Sequence, residues 1–168
     1  MALDPNSLAL SPPFEEKPHR ILIVDDQIFN INALKTIIQH KFGVDPGICD
    51  HCLNGEEAYA QIKKDYASRL KLEKCFSYTL ILMDCNMPFM DGFECTKKIR
   101  NFYFKKRGLG VKQQPIISAV TGHAEPKYIK KCFDYGMNQV LSKPIDQASL
   151  QFAVVSAQII TDEKILEF

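Results

Sequence analysis

Thr79-Leu-Ile-Leu-Met-Asp84 is an unbroken apolar run closed by an acid. Arg20-Ile-Leu-Ile-Val-Asp25 has the same form, and a second acid, Asp26, follows at once. Pro115-Ile-Ile-Ser-Ala-Val-Thr121 and the shorter Gln139-Val-Leu-Ser-Lys143 repeat it, ending in a hydroxyl and an ammonium. Continuous rather than alternating apolar runs describe strands buried on both faces, which is the mark of a parallel sheet. A weaker fifth strand is expected over residues 47–52.

Helical patterns separate these runs. Ile28, Ile31, Leu34, Ile37 and Ile38 follow helical spacing after the first strand. Asn54 stands three residues before Glu57, and Asp91 three before Glu94, which is the arrangement of a capped helix start. Pro126 suits a first helical turn and Gly136 the left-handed residue after a helix. Leu150, Ala153, Val154, Ala157 and Ile160 form the apolar stripe of a last helix. Strand alternating with helix gives an α/β domain, (βα)5, with right-handed crossovers.

The 168 residues suffice for one domain with a real core. Residues 1–19, with Pro5, Ser7, Ser11, Pro12 and Pro13, read as a flexible leader or linker. Residues 20–160 read as the domain and 161–168 as a short tail. The 21 basic and 20 acidic residues nearly cancel, so no nucleic-acid or membrane-surface footprint is expected. No apolar run reaches bilayer length. Six scattered cysteines in a chain with ample core predict reduced thiols and a cytoplasmic setting, although a parent protein could be membrane-tethered.

In parallel sheets of this kind, ligands bind beyond the carboxyl ends of the strands. The residues expected there are Asp25, Asp26, Asp84, Thr121 and Lys143. Polar residues often do no more than mark where a strand stops. Here, however, four of five strands end in groups suited to phosphate and metal chemistry. Three neighbouring carboxylates repel unless a cation joins them, and Mg²⁺ prefers such oxygen ligands. One carboxylate can then attack phosphorus, while a lysine charge and a threonine hydroxyl hold the phosphoryl oxygens.

The chain resembles the receiver domain of two-component response regulators. The resemblance rests on Val24-Asp25-Asp26, on Met83-Asp84-Cys85-Asn86-Met87-Pro88-Phe89-Met90-Asp91-Gly92, on Ala119-Val120-Thr121-Gly122 and on Leu141-Ser142-Lys143-Pro144-Ile145. It spans about residues 20–160. It implies a flavodoxin-like sheet of order 2-1-3-4-5. It also implies that Asp84 accepts a phosphoryl group, and that Asp26 and the main-chain carbonyl of Asn86 ligate Mg²⁺ directly while Asp25 does so through water. Thr121 and Lys143 are implied to bind the phosphoryl group, and the Lys143–Pro144 bond to be cis.

The chain departs from the family pattern at Val140, where many members carry a switching tyrosine or phenylalanine, and at Gly122-His123 beside the threonine. Residues 63–74 and 102–114 look like basic insertions at the strand N-terminal end, away from the chemistry.

Cys49-Asp50-His51-Cys52 resembles half a zinc site but lacks a second pair, and as a strand it would turn its cysteines to opposite faces. His123 is either a base for dephosphorylation or a loop residue at the pocket mouth. Cys85 reads as packing, and Phe102-Tyr103-Phe104 as a helix end packing on its own domain.

The expected function is therefore a phosphorelay or switch module whose partner is a histidine kinase or a histidine-phosphotransfer protein. Homodimerisation is possible but not expected. Only 24 residues follow Pro144, so the resemblance points to the receiver at the end of a hybrid histidine kinase. Two rival readings are a degenerate receiver used only for protein interaction and a metal-dependent aspartyl phosphatase. The phosphatase needs an acid two residues after the nucleophile, where this chain has Asn86.

Overall fold

The computed structural model describes residues 19–71 and 75–160. Apart from His19, the leader expected over 1–19 and the tail over 161–168 lie outside the described residues.

Among the described residues, five strands and five helices alternate. β1 (Arg20–Val24) leads to α1 (Ile28–Phe42), and β2 (Cys49–Cys52) to α2 (Gly55–Ser68). β3 (Tyr78–Asp84) leads to α3 (Gly92–Arg107), β4 (Ile116–Thr121) to α4 (Pro126–Asp134), and β5 (Gln139–Ser142) to α5 (Gln147–Ser156). All pairings are parallel, in the order β2-β1-β3-β4-β5. The expected doubly wound, flavodoxin-like sheet is thus present. The weak strand starts later than expected, at Cys49, because Pro46–Ile48 forms a 3₁₀ turn capped by Asp45.

Strand alternation divides the core into two layers. Ile21, Ile23, Leu80, Leu82, Val120 and Leu141 pack with Ile31, Leu34, Ile38, Leu150 and Val154, the inner faces of α1 and α5. Leu22, Val24, Ile81, Met83, Ile117 and Ala119 pack against α2, α3 and α4 through Ile62, Phe93, Ile99 and Cys132. Each Val, Leu, Ile, Met or Phe among them contributes about 1.5–3 kcal/mol by leaving water, which explains why these runs are continuously apolar. Ile28 is the exception in the helical stripe: it is exposed.

Asn54 and Asp91 accept hydrogen bonds from the main-chain N–H of Glu57 and Glu94, as their spacing predicts. Pro126 opens α4, and Gly136 follows that helix with φ +95°. Cys49 and Cys52 lie in opposite core layers, and all six cysteines are free and buried. None of the described helices is long and apolar enough to cross a membrane.

Candidate functional site

The same alternation aims the strand-end side chains. Asp25 continues the parity of Ile21 and Ile23, Asp84 that of Leu80 and Leu82, and Lys143 that of Leu141, so all three belong to the α1–α5 side of the sheet. Thr121 continues Ile117 and Ala119 and belongs to the α4 side. Sheet order places β1, β3, β4 and β5 side by side, which brings Asp25 and Lys143, 118 residues apart in sequence, to one edge.

Oxygens of Asp25, Asp26 and Asp84 lie within 4.8 Å of one another. Lys143 Nζ donates to Asp25 Oδ2 at 3.1 Å and to Asp84 Oδ2 at 3.2 Å. Three carboxylates against one ammonium leave a formal charge of −2. Such a hard-oxygen set, short of two positive charges, fits a divalent cation such as Mg²⁺.

The three acids are not equivalent. Asp25, almost fully buried, accepts from the main-chain N–H of Gln27 at 2.8 Å and from Asn30 Nδ2 at 3.0 Å to each oxygen, besides Lys143. Its lone pairs are largely committed. Among the described residues, Asp84 accepts from the N–H of Asn86, at 3.1 Å, and from Lys143. Asp26 is half-buried and accepts from Gln27 Nε2 at 3.4 Å. Burial pushes the Asp84 carboxyl up from its usual range, and the charge of Asp25 adds to this against the pull of the Asn86 N–H and Lys143. Burial lowers the Lys143 ammonium, but Asp25 and Asp84 together outweigh it and hold the group above its ordinary value.

The expected residues Asp25, Asp26, Asp84, Asn86 and Lys143 are therefore brought together. Thr121 is buried beside them; its Oγ1 accepts from the N–H of His123 at 3.1 Å, and its carbonyl accepts from the N–H of Lys143 at 2.7 Å. The Lys143–Pro144 peptide is cis. His123 is exposed, 3.7 Å from Glu125, and its ring lies on Tyr128 with centroids 4.7 Å apart.

Two site residues were missed in the sequence. Asn30 lies in the first turn of α1 and clamps Asp25; a polar residue between Ile28 and Ile31 of the apolar stripe was the available signal. Tyr128, on the first turn of α4, donates to Asn86 Oδ1 at 3.1 Å and packs edge-on against Phe93 at 5.4 Å. Nothing local marks it, because its partners are 42 and 35 residues away.

Comparison with known proteins agrees with this geometry. The family model for the response regulator receiver domain matches residues 21–155. Hybrid signal transduction histidine kinase C of Dictyostelium discoideum is 35% identical over 152 residues, which cover 90% of this chain and 11% of that protein. Hybrid signal transduction histidine kinase M of the same organism is 35% identical over 131 residues, 77% of this chain and 5% of that protein. The chain thus spans only a small part of the curated relatives it matches.

Among solved structures, the receiver domain of the histidine kinase CKI1 from Arabidopsis thaliana, complexed with Mg²⁺ and BeF₃⁻, superposes with a TM-score of 0.68 at 25% identity, covering 83% of this chain and 89% of that one. The receiver domain of Ssk1 from Saccharomyces cerevisiae, in co-crystals with the histidine phosphotransfer protein Ypd1, gives 0.66 at 27% identity, covering 87% and 94%. On the match to residues 21–155, with its relatives and its sheet order in agreement, this chain belongs to the response regulator receiver domain family.

Proposed function

We propose that the chain accepts a phosphoryl group on Asp84 from a phosphohistidine and serves as a relay or switch module. The observation that carries this reading is the bridge of Lys143 Nζ to both Asp84 and Asp25, inside a cluster of three carboxylates. Asp84 is buried at the end of the central strand β3 and carries fewer hydrogen bonds than the equally buried Asp25, which leaves it lone pairs to attack with.

In the reaction an Asp84 carboxylate oxygen attacks phosphorus, the P–N bond to the imidazole breaks, and its electron pair returns to the ring nitrogen, which the histidine protein keeps. Asp26, Asp84 and the Asn86 main-chain carbonyl would hold Mg²⁺, which supplies neutralisation of the charge on the transferred group. Asp25, whose lone pairs are already engaged, suits a contribution through water. Lys143 keeps an ammonium within reach of the phosphorylated side chain, and Thr121 offers a hydroxyl from the α4 side.

The Ssk1–Ypd1 complex and the hybrid kinase relatives support a histidine-phosphotransfer protein or a histidine kinase as partner. Six free, buried cysteines suit a reducing, cytoplasmic setting.

The test is intact-mass spectrometry after incubation with Mg²⁺ and acetyl phosphate. The wild type gains one phosphoryl mass and Asp84→Asn, nearly isosteric, gains none. A stable, Mg²⁺-dependent adduct on the variant would move the acceptor elsewhere.

A further inference from the structure

The two basic stretches, 63–74 and 102–114, are not absorbed by the phosphoryl chemistry. Their described parts meet in space. Arg107 Nη2 donates to the carbonyl of Leu70 at 2.8 Å and its guanidinium lies 5.8 Å from the Tyr66 ring centroid. Phe102 stands edge-on to Tyr59 at 6.1 Å and to Tyr66 at 5.1 Å. These contacts zip α2 to α3 and leave a groove of about 260 Å³ between them. Tyr59 and Phe102 line it, with Asn101, Lys98, Lys105 and Lys106. Lys63 Nζ overhangs the Tyr59 ring at 4.8 Å.

The charge of the chain is polarised to match. Residues 55–71 and 92–114 hold eleven of the 21 basic residues and four of the 20 acidic ones, a net +7. The rest of the chain, with ten basic and 16 acidic residues, carries −6. The near-neutral total therefore conceals a basic face. Among the described residues the ion pairs on this face are Lys98–Glu94 and Arg69–Asp65, and neither uses Lys63, Lys105 or Lys106. Phe104 adds an exposed ring, 62% accessible, at the same helix end.

We propose that the α2–α3 face is a docking surface for an acidic segment of a partner protein, its carboxylates on Lys63, Lys98, Lys105 and Lys106 and an apolar side chain in the groove floored by Tyr59 and Phe102. Both helices start beside the phosphoacceptor loop and run away from it. At about 1.5 Å per residue, the far end of α3 is roughly 20 Å removed. The surface can be occupied while a histidine protein holds Asp84, so the inference does not depend on the phosphoryl reading. Concavity disfavours a bilayer, which cannot enter a groove. The Phe102 ring, engaged edge-on by two neighbours, offers no free platform for base stacking.

The test is fluorescence anisotropy with a short fluorescein-labelled peptide of alternating Glu and Leu, beside its Gln-for-Glu counterpart, anionic phosphatidylserine vesicles and single-stranded RNA. The wild type binds the acidic peptide, and raising salt to about 0.3 M weakens binding about tenfold or more, because exposed charges are screened. Lys98→Gln/Lys105→Gln/Lys106→Gln weakens it comparably, while its circular dichroism and Mg²⁺-dependent phosphorylation stay at wild-type levels. Lys130→Gln, on α4, serves as the exposed control and binds normally. Equal binding of the Gln peptide, equal binding by the triple variant, or preference for vesicles or RNA would overturn the proposal.

Discussion

Gly92 sits so close to the main-chain carbonyl of Asp84 that a Cβ on it would stand 2.2 Å from that oxygen and 3.0 Å from the carbonyl carbon. The Gly92 N–H donates to the carbonyl of Cys85 at 3.2 Å, closing the loop between β3 and α3. The obstacle is backbone at the end of the central strand, and it cannot yield without moving Asp84. Gly92→Ala should therefore cost about 2–4 kcal/mol in urea unfolding and impair phosphorylation. Gly122→Ala is the control, since a Cβ there meets nothing within 4 Å, and it should stay within about 0.5 kcal/mol of wild type. Equal stabilities for the two variants would contradict this packing.

A cation that binds the folded acid cluster must stabilise it by mass action. At a Mg²⁺ concentration about 100 times the dissociation constant, the gain is about 2.7 kcal/mol. Asp26 is half-buried and lightly bonded, so Asp26→Ala should change the metal-free melting temperature little and remove most of the Mg²⁺-induced rise. A variant that keeps the full rise would place the ligands elsewhere.

The raised carboxyl of Asp84 predicts a pH effect in metal-free protein. A group whose folded pKa lies above its unfolded value contributes stability that is complete below the unfolded pKa, near 3.9, and is lost as pH rises through the folded one. Wild type and Asp84→Asn should thus unfold alike near pH 3.5, with the variant becoming the more stable as Asp84 ionises. Thermal melts in EDTA across that range check it. A gap that closes on going to neutral pH would reverse the assigned sign.

The sheet was legible because β1, β3 and β4 are buried on both faces and must read as continuous apolar runs. The acid cluster was legible because strand ends in a parallel sheet converge. β2 was harder: Cys49-Asp50-His51-Cys52 is an edge strand whose two middle residues are polar, Asp50 engaging Arg20 and Tyr78 and His51 engaging Lys35. Asn30 and Tyr128 act across distances that local pattern cannot express. The basic face was hidden for a related reason, since residues 63–74 and 102–114 read as separate insertions until α2 and α3 lie side by side.

The reach of the phosphorylation signal follows from Val140 and Tyr128. Val140 is half-buried and has a single side-chain torsion, so β5 offers no large ring to move between exposed and buried positions. The aromatic beside Thr121 instead comes from α4, through the hydrogen bond of Tyr128 to Asn86 and its contact with His123. A change at Asp84 can pull on that tyrosine, but Cys132, fully buried in the core layer, anchors the next turn of α4. A bistable element needs two packings of similar energy, and the Tyr128 contacts put it in the first turn of α4, ahead of the Cys132 anchor. Amide NMR shifts on adding beryllofluoride and Mg²⁺ should therefore concentrate at residues 84–92 and 121–130 and fade beyond them. Tyr128→Phe, which keeps the ring but loses the bond to Asn86, should cost about 1 kcal/mol or less and shrink the 126–130 shifts. Large shifts through Gln139–Ser142 and Gln147–Ser156, or a tight dimer on addition of the mimic, would show instead that β5 and α5 carry the switch.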